Sequence, residues 1–148
     1  MEFRVVGADD ERALLKVFAD MDDTFFRPHP FTPAEANRIA NHRGRDVYAL
    51  LIDADEPVAY GMLRGWDEGY EVPSLGIAVP ISHQGQGYGR MMMANLHAAA
   101  RSRGAQLVRL RVHPLNVRAR LLYESLGYQY RGEDRGELVM VLELRPSG

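Results

Sequence analysis

The chain has 148 residues, 46% of them hydrophobic, with no cysteine and a formal charge of −2. That length suits one domain, residues 1–148, whose core needs no covalent staple, and the missing cysteine excludes a disulfide framework, a zinc-finger pattern and any cysteinyl acyl intermediate. No apolar run approaches the roughly 18 residues of a membrane span, and the first residues lack a signal peptide's basic and apolar regions. No basic cluster marks a nucleic-acid binder, so a cytoplasmic protein with neither a membrane nor a nucleic-acid partner is expected.

Charge is unevenly divided along the chain. Residues 1–74 hold 15 acids and 8 bases, and residues 75–148 hold 5 acids and 10 bases. A basic second half suits a polyanionic ligand and an acidic first half a cationic amine, although solvated faces all round the fold account for the same counts.

In chain order, residues 3–6 read as a short strand. Asp9 or Asp10 is placed to cap a helix whose Leu14, Val17, Phe18 and Met21 recur at helical spacing. The helix frays into Asp20, Asp22 and Asp23, and an aromatic, proline-punctuated loop follows over residues 24–31. Its Phe25, Phe26 and Phe31 suit either a satellite core or a pocket wall. Thr32-Pro33-Ala34-Glu35 carries the signature of a capping box with proline at the first helical position, so a second helix starts there.

Residues 46–52 and 58–64 are β-prone around the turn Asp53-Ala54-Asp55-Glu56-Pro57 and predict an antiparallel hairpin. A third strand is expected from Tyr70 or Glu71 to Val79. The next helix opens near Gly87, uses Met91, Met92 and Met93 as core filler rather than as metal ligands, and stops at Gly104. Residues 107–112 form a strand parallel to the preceding one, as a strand-helix-strand unit requires. Asn116 caps a helix ended by Gly127, and residues 128–131 and 137–144 close the chain as a hairpin around the polar turn 132–136. The order β-α-α-β-β-β-α-β-α-β-β follows, with fraying expected only at residues 145–148.

The most informative stretch is Val79-Pro80-Ile81-Ser82-His83-Gln84-Gly85-Gln86-Gly87-Tyr88-Gly89-Arg90, a strand end, a glycine-rich turn and a helix start. Gly85, Gly87 and Gly89 allow positive φ and bring backbone N–H groups close to a ligand. There they join the unpaired donors of a helix N-terminus to seat phosphate oxygens. The spacing G-x-G-x-G is not the dinucleotide fingerprint, and strand 107–112 carries Arg109 and Arg111 where that fold needs an acid. No Gly-Lys-Ser/Thr follows to make a P-loop.

Gln84-Gly85-Gln86-Gly87-Tyr88-Gly89 resembles the acyl-coenzyme A signature of the GNAT superfamily of N-acetyltransferases, Gln/Arg-x-x-Gly-x-Gly/Ala. A second stretch, Asn116-Val117-Arg118-Ala119-Arg120-Leu121-Leu122-Tyr123-Glu124-Ser125-Leu126-Gly127-Tyr128, resembles the family's Asn-x-x-Ala-x-x-Leu-Tyr-x-x-x-Gly-Phe/Tyr. The resemblance covers residues 58–128 well. It implies an α/β fold with a central, mostly antiparallel sheet, one splayed parallel strand pair and flanking helices. It also implies acetyl-CoA as co-substrate, no metal, and direct transfer to a primary amine, with the first two helices and their loop walling the acceptor pocket. Family members are often dimers, which leaves room for a homodimer.

The resemblance assigns roles residue by residue. Ile77, Ala78 and Val79 hold the pantetheine arm through backbone groups, with an N–H near Val79 polarising the thioester carbonyl. The amides from Gln84 through Gly85, Gln86, Gly87, Tyr88 and Gly89 to Arg90 take the pyrophosphate, and Asn116 is a polar contact to coenzyme A or simply a cap. Tyr123 is either a core aromatic or the proton donor to the departing thiolate. Where histone-directed members carry a glutamate this chain has Pro73, and where ribosomal-protein-directed members carry one it has Arg111. Glu71 is the leading candidate base, followed by Asp67, Glu68, Ser74, His83 and His113. The expected activity is N-acetylation of a small molecule, with an amino sugar as one option; protein Nα- or lysine acetylation and a non-catalytic acyl-CoA sensor are the alternatives.

Overall fold

The computed structural model describes residues 1–145. Seven strands form one sheet in the order β1-β2-β3-β4-β5-β7-β6. They are β1 (Glu2–Val5), β2 (Val47–Asp53), β3 (Glu56–Arg64), β4 (Ser74–Ala78), β5 (Leu107–Val112), β6 (Gln129–Asp134) and β7 (Glu137–Glu143). Every neighbouring pair is antiparallel except β4 and β5. The helices are α1 (Glu11–Ala19), α2 (Pro33–Ala40), α3 (Tyr88–Ser102) and α4 (Val117–Ser125), in the expected order. Among the described residues no helix is long and apolar enough to cross a membrane. Of the fraying expected at the C-terminus, residues 146–148 lie outside the described residues.

The strand period of two divides the core between the two faces of the sheet. Val47, Ala49 and Leu51 of β2 join Met92, Met93 and Leu96 of α3. Tyr48, Leu50 and Ile52 join Leu14, Val17 and Phe18 of α1 and Ile39 of α2 on the other side. Met91 is exposed, so two of the three methionines fill the core. Helix α3 lies so close to β3 that a Cβ on Gly61 would come 2.8 Å from Leu96 Cδ1 and 2.9 Å from Met92 Cγ. Only glycine admits that approach.

Three local expectations change. Thr32 Oγ1 accepts from the Glu35 amide at 3.2 Å, but the Glu35 carboxylate turns to Arg38, at 2.6 Å, instead of completing the capping box. Strand β4 starts at Ser74 rather than at residue 70 or 71, because residues 66–68 wind into a short 3-10 turn closed by Gly69 in the left-handed region. Asp46 Oδ1 holds that turn through the amides of Gly65 and Asp67, both at 3.1 Å. The last hairpin is tighter than expected: β6 runs on to Asp134, and Arg135 and Gly136, both at positive φ, make the turn.

The parallel pair positions the site. Strands β4 and β5 are in register only at Ser74 and Arg109, where the Arg109 N–H donates to the Pro73 carbonyl at 3.0 Å. Beyond that point β4 stays with β3 as far as Ala78 opposite Tyr60, while β5 stays with β7 as far as Val112 opposite Leu138. The two strands therefore diverge, and a gap opens in the middle of the sheet.

Candidate active site

At the open end of the gap lies the glycine turn. Gly85 and Gly87 sit in the left-handed region, at φ 78° and 85°. Gly89 does not: it is already in α3, and a Cβ there would meet only ordinary contacts 3.7 Å or more away. Helix α3 has no side-chain cap, and its first bonded amide is Met91 N–H, donating to the Gly87 carbonyl at 3.1 Å. The amides of residues 85–90 have no acceptor among the described residues. Six unpaired donors around a helix N-terminus form a seat for an anion.

Neighbouring groups hold the turn. Asp20, just past α1, accepts from the Ile81 amide through its carbonyl, at 2.8 Å, and from the Ser82 amide and hydroxyl through its carboxylate. Those bonds hold the Asp20 carboxyl below its ordinary range. Gln84 Nε2 donates to the Val79 carbonyl at 3.2 Å. The side chains of the turn are engaged elsewhere: the Tyr88 hydroxyl donates to Asp53, Arg90 donates to Ser125, and Gln86 does not line the cleft. Tyr88 and Arg90 thus offer the cleft only their backbone amides.

From the turn, a cleft of about 1350 Å³ runs through the gap to the loop after α1. Because the Pro73 carbonyl points at β5, the pleat aims the N–H and C=O groups of Leu75, Ile77 and Val79 the same way. Past Ser74 no strand meets them. Ala78 falls on the alternate residues of β4, whose backbone groups turn toward β3. Of the three residues expected along the pantetheine arm, Ile77 and Val79 present free groups to the gap.

Tyr123 and Asn116 border the same cleft. Tyr123 is 7% exposed. Its hydroxyl has no hydrogen-bond partner, yet every fully buried side-chain polar atom among the described residues has one, so the hydroxyl keeps a small exposed area. Burial pushes the phenol up from its ordinary value and keeps it protonated. Asn116 Oδ1 accepts from the Ala119 amide at 3.3 Å, the capping role, and its N–H2 group has no acceptor among the described residues.

At the far end, the loop after α1 overhangs the sheet. The Phe25 ring packs 4.9 Å from that of His113, whereas Phe26 and Phe31 pack on each other at 4.6 Å and against the α1 core. His29 pins the loop, with Nε2 2.8 Å from the Tyr60 hydroxyl and Nδ1 2.8 Å from the Pro30 carbonyl. Glu71, Glu68, Ser74, His83 and His113 all line the cleft. Asp67 does not: its carboxylate accepts from the Arg45 amide at 2.6 Å and lies 2.8 Å from His42, tying two loops together. It is a structural acid.

Residues 14–128 match the profile of the acetyltransferase (GNAT) family. The chain belongs to that family. The GNAT domain of PAT from S. lividans superposes with a TM-score of 0.82 at 20% identity, over 96% of this chain and 89% of that one. PaiA N-acetyltransferase from Thermoplasma acidophilum, solved with coenzyme A, gives 0.77 at 12% identity over 96% and 98%. The ribosomal-protein-S18-alanine N-acetyltransferase from Escherichia coli gives 0.75 at 21% identity over 99% and 96%. These likenesses support the fold expected from the sequence, a mixed sheet with one splayed parallel pair between helices.

Two groups of this GNAT chain were not singled out by its motifs. A Cβ on Gly85 would lie 3.6 Å from Arg118 Nη2, so the guanidinium hangs over the turn and adds positive charge there. Arg118 lies inside the Asn116-to-Gly127 motif, but nothing in the spacing says that α4 carries it back to the turn. Glu137, 9% exposed, lines the far end of the cleft with its carboxylate 3.9 Å from Arg111. It sits on the closing hairpin, outside both motifs.

Proposed function

We propose that the protein transfers the acetyl group of acetyl-CoA to a primary amine of a small molecule by direct attack within a ternary complex. What carries the reading is the gap between β4 and β5, part of one cleft lined at the same time by the glycine turn with its unpaired amides and by Tyr123. The residues present fit the co-substrate. The amides of residues 85–90 and Arg118 match a pyrophosphate, and the free edge of β4 matches an amide-bearing arm.

In this reading Glu71 removes a proton from the amine as the N–C bond forms. The Val79 N–H, fixed on the open edge, stabilises the negative charge gathering on the carbonyl oxygen. As the C–S bond breaks, Tyr123 gives its proton to the thiolate and recovers one from solvent. A phenol held protonated by burial acts here as an acid and not as a base. The Phe25–His113 contact over this end of the cleft leaves a groove suited to a small acceptor.

The test is release of free thiol from acetyl-CoA across amino sugars, amino acids, polyamines and peptides, with Gly87→Trp and Arg118→Ala as controls. Turnover lost in both controls supports transfer and names the acceptor class. Tight acetyl-CoA binding without turnover of any amine favours a sensor, and absence of binding removes the reading of the turn. Turnover confined to peptides supports protein acetylation instead.

A further inference from the structure

Resting on that acetyl-transfer reading, we infer that the acceptor amine also carries an anionic group, a carboxylate or a phosphate, seated between Arg64 and Arg109. Arg64 pairs in register with Ser74, and Ser74 with Arg109, so the three residues form one row across β3, β4 and β5. Residues opposite one another in a sheet project from the same face, and two strand spacings separate the arginine Cα atoms by roughly 10 Å. Two arginine side chains on that row are long enough to reach the same ligand group above Ser74.

The face they occupy is the acceptor side. Val108, Leu110 and Val112 enter the core under α3, so Arg109 and His113 project to the opposite face. There Phe25 packs on His113, and a Cβ on Gly76 would lie 3.7 Å from Pro28. The Ser74 row is therefore roofed by the loop after α1. It is also remote from the phosphate seat, since residues 74–79 span roughly 17 Å of extended chain before the turn begins.

Both arginines are half-buried and line the cleft, and neither has a carboxylate partner among the described residues. Arg64 donates only to the Pro28 carbonyl, at 3.3 Å. Arg111, two residues from Arg109 on the same strand, shows the contrast, with Asp134 3.1 Å away. Two like charges brought together without a counter-ion are unfavourable, and a guanidinium pair around a hydroxyl matches the oxygens of a carboxylate or phosphate. Glu71 and Glu68 line the same cleft and supply the opposite charge for the ammonium end of such a zwitterion. The acidic first half of the chain thus does not make this a polyamine site.

The CoA-saturated protein is titrated with matched amines: amino acids against their amides, amino-sugar phosphates against the parent sugars, and spermidine. The same set is then assayed for thiol release from acetyl-CoA. In one or both series the anionic member binds at least 10-fold more tightly than its neutral match, and the series that does so separates carboxylate from phosphate. Arg109→Met and Arg64→Met each erase that preference and leave CoA affinity unchanged, while Arg109→Lys keeps part of it. Equal binding of neutral amines or spermidine, no binding of any amine, or loss of CoA affinity in both methionine variants would each overturn the inference. Selective binding without turnover upholds it and removes acetyl transfer, whereas turnover without selectivity does the reverse.

Discussion

Asp20 and Ser82 join the end of α1 to the residues that precede the glycine turn, with the Asp20 carboxylate accepting from both the amide, at 3.1 Å, and the hydroxyl of Ser82. One aspartate thus links the loop after α1 to the glycine turn with its unpaired amides. Asp20→Asn is expected to raise the KM for acetyl-CoA about 3- to 10-fold, since it replaces charge-assisted bonds by neutral ones. Thermal stability should change little, because the pair is exposed. The Asp20 carboxyl is held below its ordinary range, so its bonds persist at every pH above about 4 and weaken only as pH falls through its folded value. Initial-rate kinetics at pH 5 and pH 8 check this: an Asp20→Asn effect present at only one of them would show that Asp20 acts otherwise.

Tyr123→Phe removes one hydroxyl and leaves the ring in the core. Loss of a positioned acid is expected to lower kcat by roughly 10²- to 10³-fold with the Kd of CoA unchanged. Because burial raises the phenol, Tyr123 stays protonated through pH 10, and the wild-type rate should show no alkaline decline from its ionisation below that value. Calorimetry and pH–rate profiles on both proteins measure this. A kcat within 3-fold of wild type would leave Tyr123 as a core aromatic only.

His97 and Tyr128 form a buried pair, with Nε2 2.7 Å from the hydroxyl. Burial, helped by the charge of Arg101, pushes the imidazole from 6.5 down to about 4. An unfolded chain takes up this proton near pH 6.5 and the folded one only near pH 4. Stability therefore falls as pH drops across that window, by on the order of 3 kcal/mol in all and about 2 kcal/mol by pH 5, and levels off below it. Urea denaturation at pH 7.5 and pH 5 should show the loss, and His97→Phe should remove most of it. An unchanged pH dependence in the variant would place the sensitivity elsewhere.

The sequence displayed what is local. The stripe Leu14, Val17, Phe18 gave α1, and the glycine spacing gave both the turn and the start of α3. It did not display what depends on register. Arg64, Ser74 and Arg109 are separated by 10 and 35 positions, and only the pairing of three strands puts them in a row. Asp67 looked like any other acid near the site until the turn at residues 65–69 folded it toward Arg45. Gly61 read as an ordinary strand residue, because the closeness of α3 to β3 leaves no mark in either segment alone.

The three glycines of the turn can be told apart by experiment. Gly87 has φ 85°, so Gly87→Ala is strained in the folded state and should cost about 1 kcal/mol. Gly89 is helical, and an added methyl would meet Leu122 and Val79 at 3.7 Å, ordinary contact. On the fold alone Gly89→Ala should be neutral or stabilising by about 0.5 kcal/mol, since alanine is the better helix former. The methyl would nevertheless stand beside the unpaired amides of residues 85–90, where a phosphate must come within hydrogen-bonding distance. Gly89→Ala is therefore expected to keep or raise Tm while weakening acetyl-CoA binding at least 10-fold. Scanning calorimetry and titration calorimetry on the same sample measure both, and a variant that gains stability without losing affinity would show that Gly89 does not serve the ligand.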